Sequence, residues 1–198
     1  MNLSHCSGIL AVCLSLVLGC VQTTPTSSRP KETIRLDETI RNSAAIRVTG
    51  HNDPLEASVK VDTYEYCRPR FLLRDSHDWF FRGFYHKKLK EATYQLYVIF
   101  NSRTWIFWDL ARFNSPSGLS RREVKRVGSD VKCGRYGCDH YEDVIMELDR
   151  STLERWGKEG AVVRFASSRV DATQDIHVDA QEATDFLKKM DGVLAGGI

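Results

Sequence analysis

Period-two alternation of apolar and polar side chains is the feature that most limits the fold. From residue 44 onward it recurs in segment after segment. Between Ala92 and Phe100, Tyr94, Leu96, Val98 and Phe100 fall on one face. Val59 and Val61 alternate with Lys60 and Asp62 in Ala57 to Tyr66, and Val144, Met146 and Leu148 alternate with their neighbours in Asp143 to Leu148. Successive side chains of a strand point to opposite faces, so this pattern predicts half-buried strands. Ala44 to Thr49, Ala161 to Phe165 and Asp175 to Val178 are shorter candidates. Thr104 to Leu110 is apolar at both parities, as in a doubly covered strand, and Asn101-Ser102-Arg103 suits a hairpin joining it to the strand before.

Two segments switch to helical spacing. Ser151 with Glu154 reads as a capping box, opening a short helix near 151–159. Asp179 with Glu182 plays the same part before Ala183, Phe186, Leu187 and Met190, a helix near 180–191. The expectation is a mainly β (α+β) fold, an antiparallel β-sandwich or curved sheet with the C-terminal helix packed on it. Residues 33–198 read as a single β-rich domain, which their number suits.

The start of the chain is different. No Lys, Arg, Asp or Glu precedes Arg29, and Gly8 to Leu18 is apolar apart from Ser15. That is short of the ~20 residues a spanning helix needs, and has the length of a signal-peptide core. It ends Val17-Leu18-Gly19-Cys20, which resembles the lipobox of bacterial lipoproteins. The resemblance implies cleavage after Gly19 (1–19 as signal peptide) and acylation of Cys20 as the mature N-terminus. Val21 after the Cys implies the outer membrane of a Gram-negative cell. Residues 20–32, with Thr, Ser and Pro and no apolar period, read as a flexible tether. The partners expected are the membrane, through lipid on Cys20, and an envelope protein. A net charge of +2 gives no footprint for nucleic acid.

Further along, Tyr94-Gln95-Leu96-Tyr97-Val98, Trp105 and Phe107, the stretch Cys133 to Glu142, Leu153 and Phe186-Leu187 resemble a group of uncharacterised proteobacterial envelope lipoproteins over roughly residues 92–190. The resemblance implies no activity.

Cys133-Gly134-Arg135-Tyr136-Gly137-Cys138 is the sharpest local feature. Two glycines inside four residues mark a tight turn, and two thiols across a hairpin lie within disulfide range. A structural disulfide is expected, and it would persist in the oxidising periplasm. The rival is a metal held by Cys133, Cys138, Asp139, His140 and Glu142, but no second Cys/His pair completes such a site. If the cysteines face each other, Val131 lies opposite His140 and Val127 opposite Val144. Continuing would place Lys125 on the core face opposite Met146. A β-bulge between Val124 and Val127 corrects this and brings Val124 opposite Met146.

Cys67 is left over, and reads as an inert thiol at a strand end. The enzymatic alternative uses it as a nucleophile with His77, His86 or His140. His77-Asp78 and Asp139-His140 are not preformed acid–base couples, because neighbours in a strand diverge. No catalytic motif, metal site or cofactor is expected. Trp79-Phe80-Phe81, Phe84 and Tyr85 with Lys87 and Lys88 admit two readings: core aromatics, or a ligand surface of Trp79, Phe81, Tyr85, Lys87 and Lys88 for an anionic glycan, a lipid headgroup or a partner's edge. Arg121, Arg122, Lys125 and Arg126 read as a solvated face. Three functions stand: a non-enzymatic lipid-anchored binding or structural module, a periplasmic enzyme, and a glycan or small-ligand binder.

Overall fold

A computed structural model describes residues 46–63 and 78–196. The strands are β1 (Arg47–Thr49), β2 (Ser58–Asp62), β3 (Asp78–His86), β4 (Glu91–Ser102), β5 (Trp108–Ser115), β6 (Gly118–Glu123), β7 (Lys125–Gly134), β8 (Gly137–Leu148), β9 (Ala161–Ser167) and β10 (Thr173–Val178), and the helices are α1 (Arg150–Glu159) and α2 (Ala180–Leu194). The chain is mainly β, with two antiparallel sheets ordered β1-β2-β3-β4-β8-β7 and β10-β9-β5-β6.

The alternation works as its period requires. Tyr94, Leu96, Val98 and Phe100 of β4 and Val144, Met146 and Leu148 of β8 are all buried, and form one inner face of the six-stranded sheet. Ala111 and Phe113 of β5 and Val163 and Phe165 of β9 form the opposing face. The two meet where Phe100 stacks on Trp108 at 4.4 Å and sets its edge to Phe165 at 5.3 Å. The helices close the remainder of the core. Phe186 of α2 stacks on Phe81 at 5.2 Å, and Trp156 of α1 meets Phe113 at 5.3 Å. Gly83 is needed beneath α2, since a Cβ there would come within 2.6 Å of the Met190 sulfur.

Four details differ from the expectations. Thr104 to Phe107 is not strand; the chain crosses there from one sheet to the other, and β5 starts at Trp108. Residues 101–103 therefore do not turn a hairpin, because β4 and β5 lie in different sheets. The first helix begins one residue before Ser151. Asp149 is its N-cap residue and makes no side-chain capping bond, so the capping box does not form. Asp179 does cap α2, accepting from the Gln181 and Glu182 amides. The Glu182 carboxylate turns inward instead of back to the cap, and accepts a buried bond of 2.7 Å from the Thr63 hydroxyl.

The fourth concerns the bulge. Cys133 pairs with Cys138 and Val131 with His140, as the turn dictates. The register then shifts between Arg126 and Gly128, so Arg126, not Val127, faces Val144. The extra residue is Val127, at the far end of the expected interval, and it is 49% exposed. Gly128 explains the place: a Cβ there would meet the Asp143 carboxylate at 2.9 Å, so the ladder draws in where a side chain is missing. Val124 is buried, as a correction of register requires.

Candidate functional site: a disulfide-closed arm on a carboxylate-pinned crossover

The β7–β8 hairpin extends past the rest of its sheet. β4 follows β8 only as far as Ser102 opposite His140. Beyond that point β7 and β8 are each other's only strand partners among the described residues. Cys133 and Cys138 are bonded to one another, with Cα atoms 4.0 Å apart. Arg135 and Tyr136 form the turn, and Gly137 takes a φ of +114° that a side chain would oppose. Tyr136 is 81% exposed.

Four contacts brace the base of this tip. Arg103 pairs with Asp139 at 3.2 Å. Trp105 sets its ring edge-on to His140 at 4.9 Å. The Lys132 ammonium lies 4.9 Å from the centre of the Tyr141 ring. Deepest is Glu142, fully buried on β8. One of its oxygens accepts from the Ile106 amide at 2.7 Å, and the other from the Phe107 amide at 3.0 Å. This fixes the sheet-to-sheet crossover. Phe107 is held at φ +63°, a left-handed conformation costly for an aromatic residue. Its ring carries the Arg126 guanidinium at 5.3 Å and that of Arg169 at 4.7 Å. The carboxylate and the two cations thus hold a strained turn from both backbone and side chain.

No protein-family model, curated protein or solved structure matches the chain.

The residues singled out from sequence fare unequally. Cys20, Cys67 and His77 lie outside the described residues. Cys133 and Cys138 form the disulfide, so their sulfurs are not thiolate ligands here, and among the described residues no group of three or more His, Cys, Asp or Glu could hold a metal ion.

The ligand surface drawn from 79–90 is corrected. Trp79 and Phe81 are 2% and 0% exposed, on the inner face of β3. Tyr85 packs half-buried against the same core. The Lys87 ammonium donates to the Gly50 and Asp53 carbonyls at 2.8 and 2.6 Å, which ties down the loop between β1 and β2. Only Lys88 is exposed. The physical reason is that the aromatic run is an internal strand, paired with β2 on one side and β4 on the other.

The outward Phe80 is covered too, stacking on Tyr97 at 4.7 Å. Tyr97 donates to Asp143 at 2.8 Å, and burial together with that carboxylate raises its phenol to about 12.

The four basic residues of 121–126 stay largely in solvent, and three of them find partners at the surface: Arg122 pairs with Asp149, Lys125 pairs with Glu147 at 2.9 Å, and Arg126 reaches the crossover. Sequence reasoning named Glu142 only as a metal ligand. Its actual role was signalled by one oddity, a carboxylate at an inward position of a strand with apolar inward neighbours.

Proposed function

We propose that the chain is a lipid-anchored protein of the cell envelope that acts by binding, and that the closed tip of β7–β8 is its contact element for an envelope protein. The observation that carries this reading is the tip itself. Tyr136 and Arg135 stand on a turn locked by a disulfide and braced at its base, so little conformational freedom is lost when a partner covers them. Tyrosine and arginine are the residue types that concentrate binding energy in protein interfaces. The Val17-Leu18-Gly19-Cys20 sequence supports the anchor, and a disulfide suits the oxidising compartment to which such an anchor delivers a protein. On this reading, lipid on Cys20 and the 20–32 tether hold the domain at the periplasmic face of the outer membrane.

The anchor and the tip are tested separately. A palmitate analogue fed to cells should label the wild type and not Cys20→Ser; equal labelling of both refutes the anchor. A photo-crosslinking amino acid at position 136 should give a discrete protein adduct in intact cells, whereas the same probe at exposed Leu89 should not. Absence of an adduct from 136, or the same adducts from both positions, refutes the tip as contact element.

A further inference from the structure

The outer face of the four-stranded sheet carries a row of like charges. Arg121 of β6 lies directly opposite Arg112 of β5, and Arg112 lies directly opposite Arg164 of β9. The row ends at Asp175 of β10, the cross-strand partner of Arg164. All four point away from the core, because Ala111, Phe113, Val163, Phe165 and Ile176 take the inward positions on these strands. Adjacent strands are ~4.8 Å apart, so the three guanidinium-bearing positions span roughly 10 Å.

Like charges placed directly across a ladder are destabilising. Several arginines and lysines elsewhere have a carboxylate partner: Arg122 with Asp149, Lys125 with Glu147, and Arg150 with Asp191, although the Arg122 Nε is also buried without a hydrogen bond. Within the row only Arg164 is matched, forking onto Asp175 through bonds of 2.6 and 2.7 Å. Arg112 sits between two other arginines without an acidic partner among the described residues. Its Nε is buried and has no hydrogen bond. A buried, unpaired guanidinium nitrogen flanked by like charge is costly unless something negative completes it.

The row also borders a cleft of about 620 Å³. Asn114, Val162 and His177, each two residues along its strand from Arg112, Arg164 and Asp175, line it together with Glu159 and Gly160. Positive charge on one side and a polar cleft beside it suit a small molecule with one strongly anionic end.

We propose that Arg112 and Arg121, with Arg164 fixed beside them by Asp175, form an anion site that takes the phosphoryl group of a phosphoester whose body lies in the adjoining cleft. Guanidinium matches phosphate geometry with paired N–H donors, which distinguishes this from a generally basic surface. The site is on the other sheet from the closed tip and does not depend on it. A soluble phosphoester and a phospholipid headgroup offer the same chemistry.

Calorimetric titration of the full chain with inorganic pyrophosphate tests the free source. Co-sedimentation with phosphatidylglycerol vesicles, against phosphatidylcholine vesicles, tests the headgroup. Binding in either arm should weaken about tenfold in Arg112→Gln and again in Arg121→Gln, the scale of one charge-assisted contact. It should be unchanged in Lys88→Gln, in the turn between β3 and β4 of the other sheet. Arg121 is exposed, so its substitution does not put folding at risk, and relief of like charge means the thermal midpoint should not fall in either arginine variant. The arm that shows arginine-dependent binding names the source. No binding in either arm, or binding that all three variants retain equally, overturns the proposal.

Discussion

Removing the Glu142 carboxylate should damage the crossover more than any conservative change to the apolar residues beside it. In Glu142→Ala the amides of Ile106 and Phe107 lose their acceptor in a part-buried site. An orphaned amide costs about 1–3 kcal/mol. Phe107 is then free to leave its left-handed conformation, which recovers up to about 2 kcal/mol of backbone strain. The Arg126 guanidinium, 4.0 Å away and 44% exposed, contributes little to the balance. Hydrogen bonds to a charged group contribute about 1.5–3 kcal/mol each net of desolvation, so the two bonds less the recovered strain leave a loss of about 3 kcal/mol. Glu142→Gln is the discriminating partner. Its carbonyl oxygen can take the place of the oxygen that lies 2.7 Å from Ile106 and 3.1 Å from Phe107, keeping both bonds in neutral form. Its loss should be about 1 kcal/mol. Urea unfolding followed by tryptophan fluorescence reads both values. Native-state hydrogen exchange should show faster exchange at the Ile106 and Phe107 amides in Glu142→Ala, before the global transition. A loss below about 0.5 kcal/mol for alanine, the range of ordinary surface changes, would refute the reasoning. So would a glutamine variant as weak as alanine, since the argument assigns the stabilisation to acceptor geometry.

The remaining expectations concern the staple, a tyrosine and a glycine. Replacing Cys133 and Cys138 with serine should cost about 2 kcal/mol, the chain-entropy value for so short a loop; thiol trapping of the denatured, unreduced protein should leave both of these cysteines unlabelled. Labelling of either before reduction would contradict the bridge. Tyr97 holds its proton up to about 12 against an ordinary value of 10.0, so its contribution is complete below pH 10 and is lost as pH rises from there through 12. Tyr97→Phe should flatten the stability curve across that window, and a curve that falls as steeply in both proteins would assign the loss elsewhere. Gly83→Ala should lower stability by about 1–3 kcal/mol through overpacking against Met190 and Phe186, and a thermal midpoint equal to wild type would show that Met190 moves aside freely.

What the sequence made legible was whatever depends on neighbours a few residues apart. Alternation placed the inner face of β4 and β8 correctly at every position named, because burial of one sheet face imposes that period. The cysteines then set the register of β7 on β8, and the charge of Lys125 demanded a bulge. Its location at Val127 depended on Gly128 facing Asp143, which is a cross-strand fact. The 104–110 segment failed for a related reason. A run apolar at both parities describes any buried stretch, whether strand or crossover. What decides is Glu142, over 30 residues away, drawing two amides out of any ladder they would otherwise join. Trp79 and Phe81 were open to two readings because β3 is internal only by virtue of β2 and β4, both distant pairings. The arginine row was not legible at all, since Arg121, Arg112 and Arg164 share a face through two separate registers.

The arm is controlled from two ends, and the two controls are separable. At the tip, the disulfide joins residues that β4 no longer supports, so its reduction should loosen only Cys133 to Cys138 and the exposed Tyr136 between them. At the base, β8 pairs with β4 from His140 to Leu148, and Glu142 ties that same strand to the crossover. Loss of the carboxylate frees Trp105 and Phe107, and with them the ring that packs on His140. The two perturbations are well separated: Cys138 lies four residues from Glu142 along β8, roughly 13 Å at the rise of a strand. Their costs should therefore add to within about 0.5 kcal/mol in the combined variant, as independent sites do. A combined loss well short of the sum would mean that the tip and the crossover unfold as one unit, with the staple reaching past His140 into the sheet. Additive losses would mean that a partner binding at Tyr136 meets an element whose order is set by the cysteines alone, and whose position is set by Glu142.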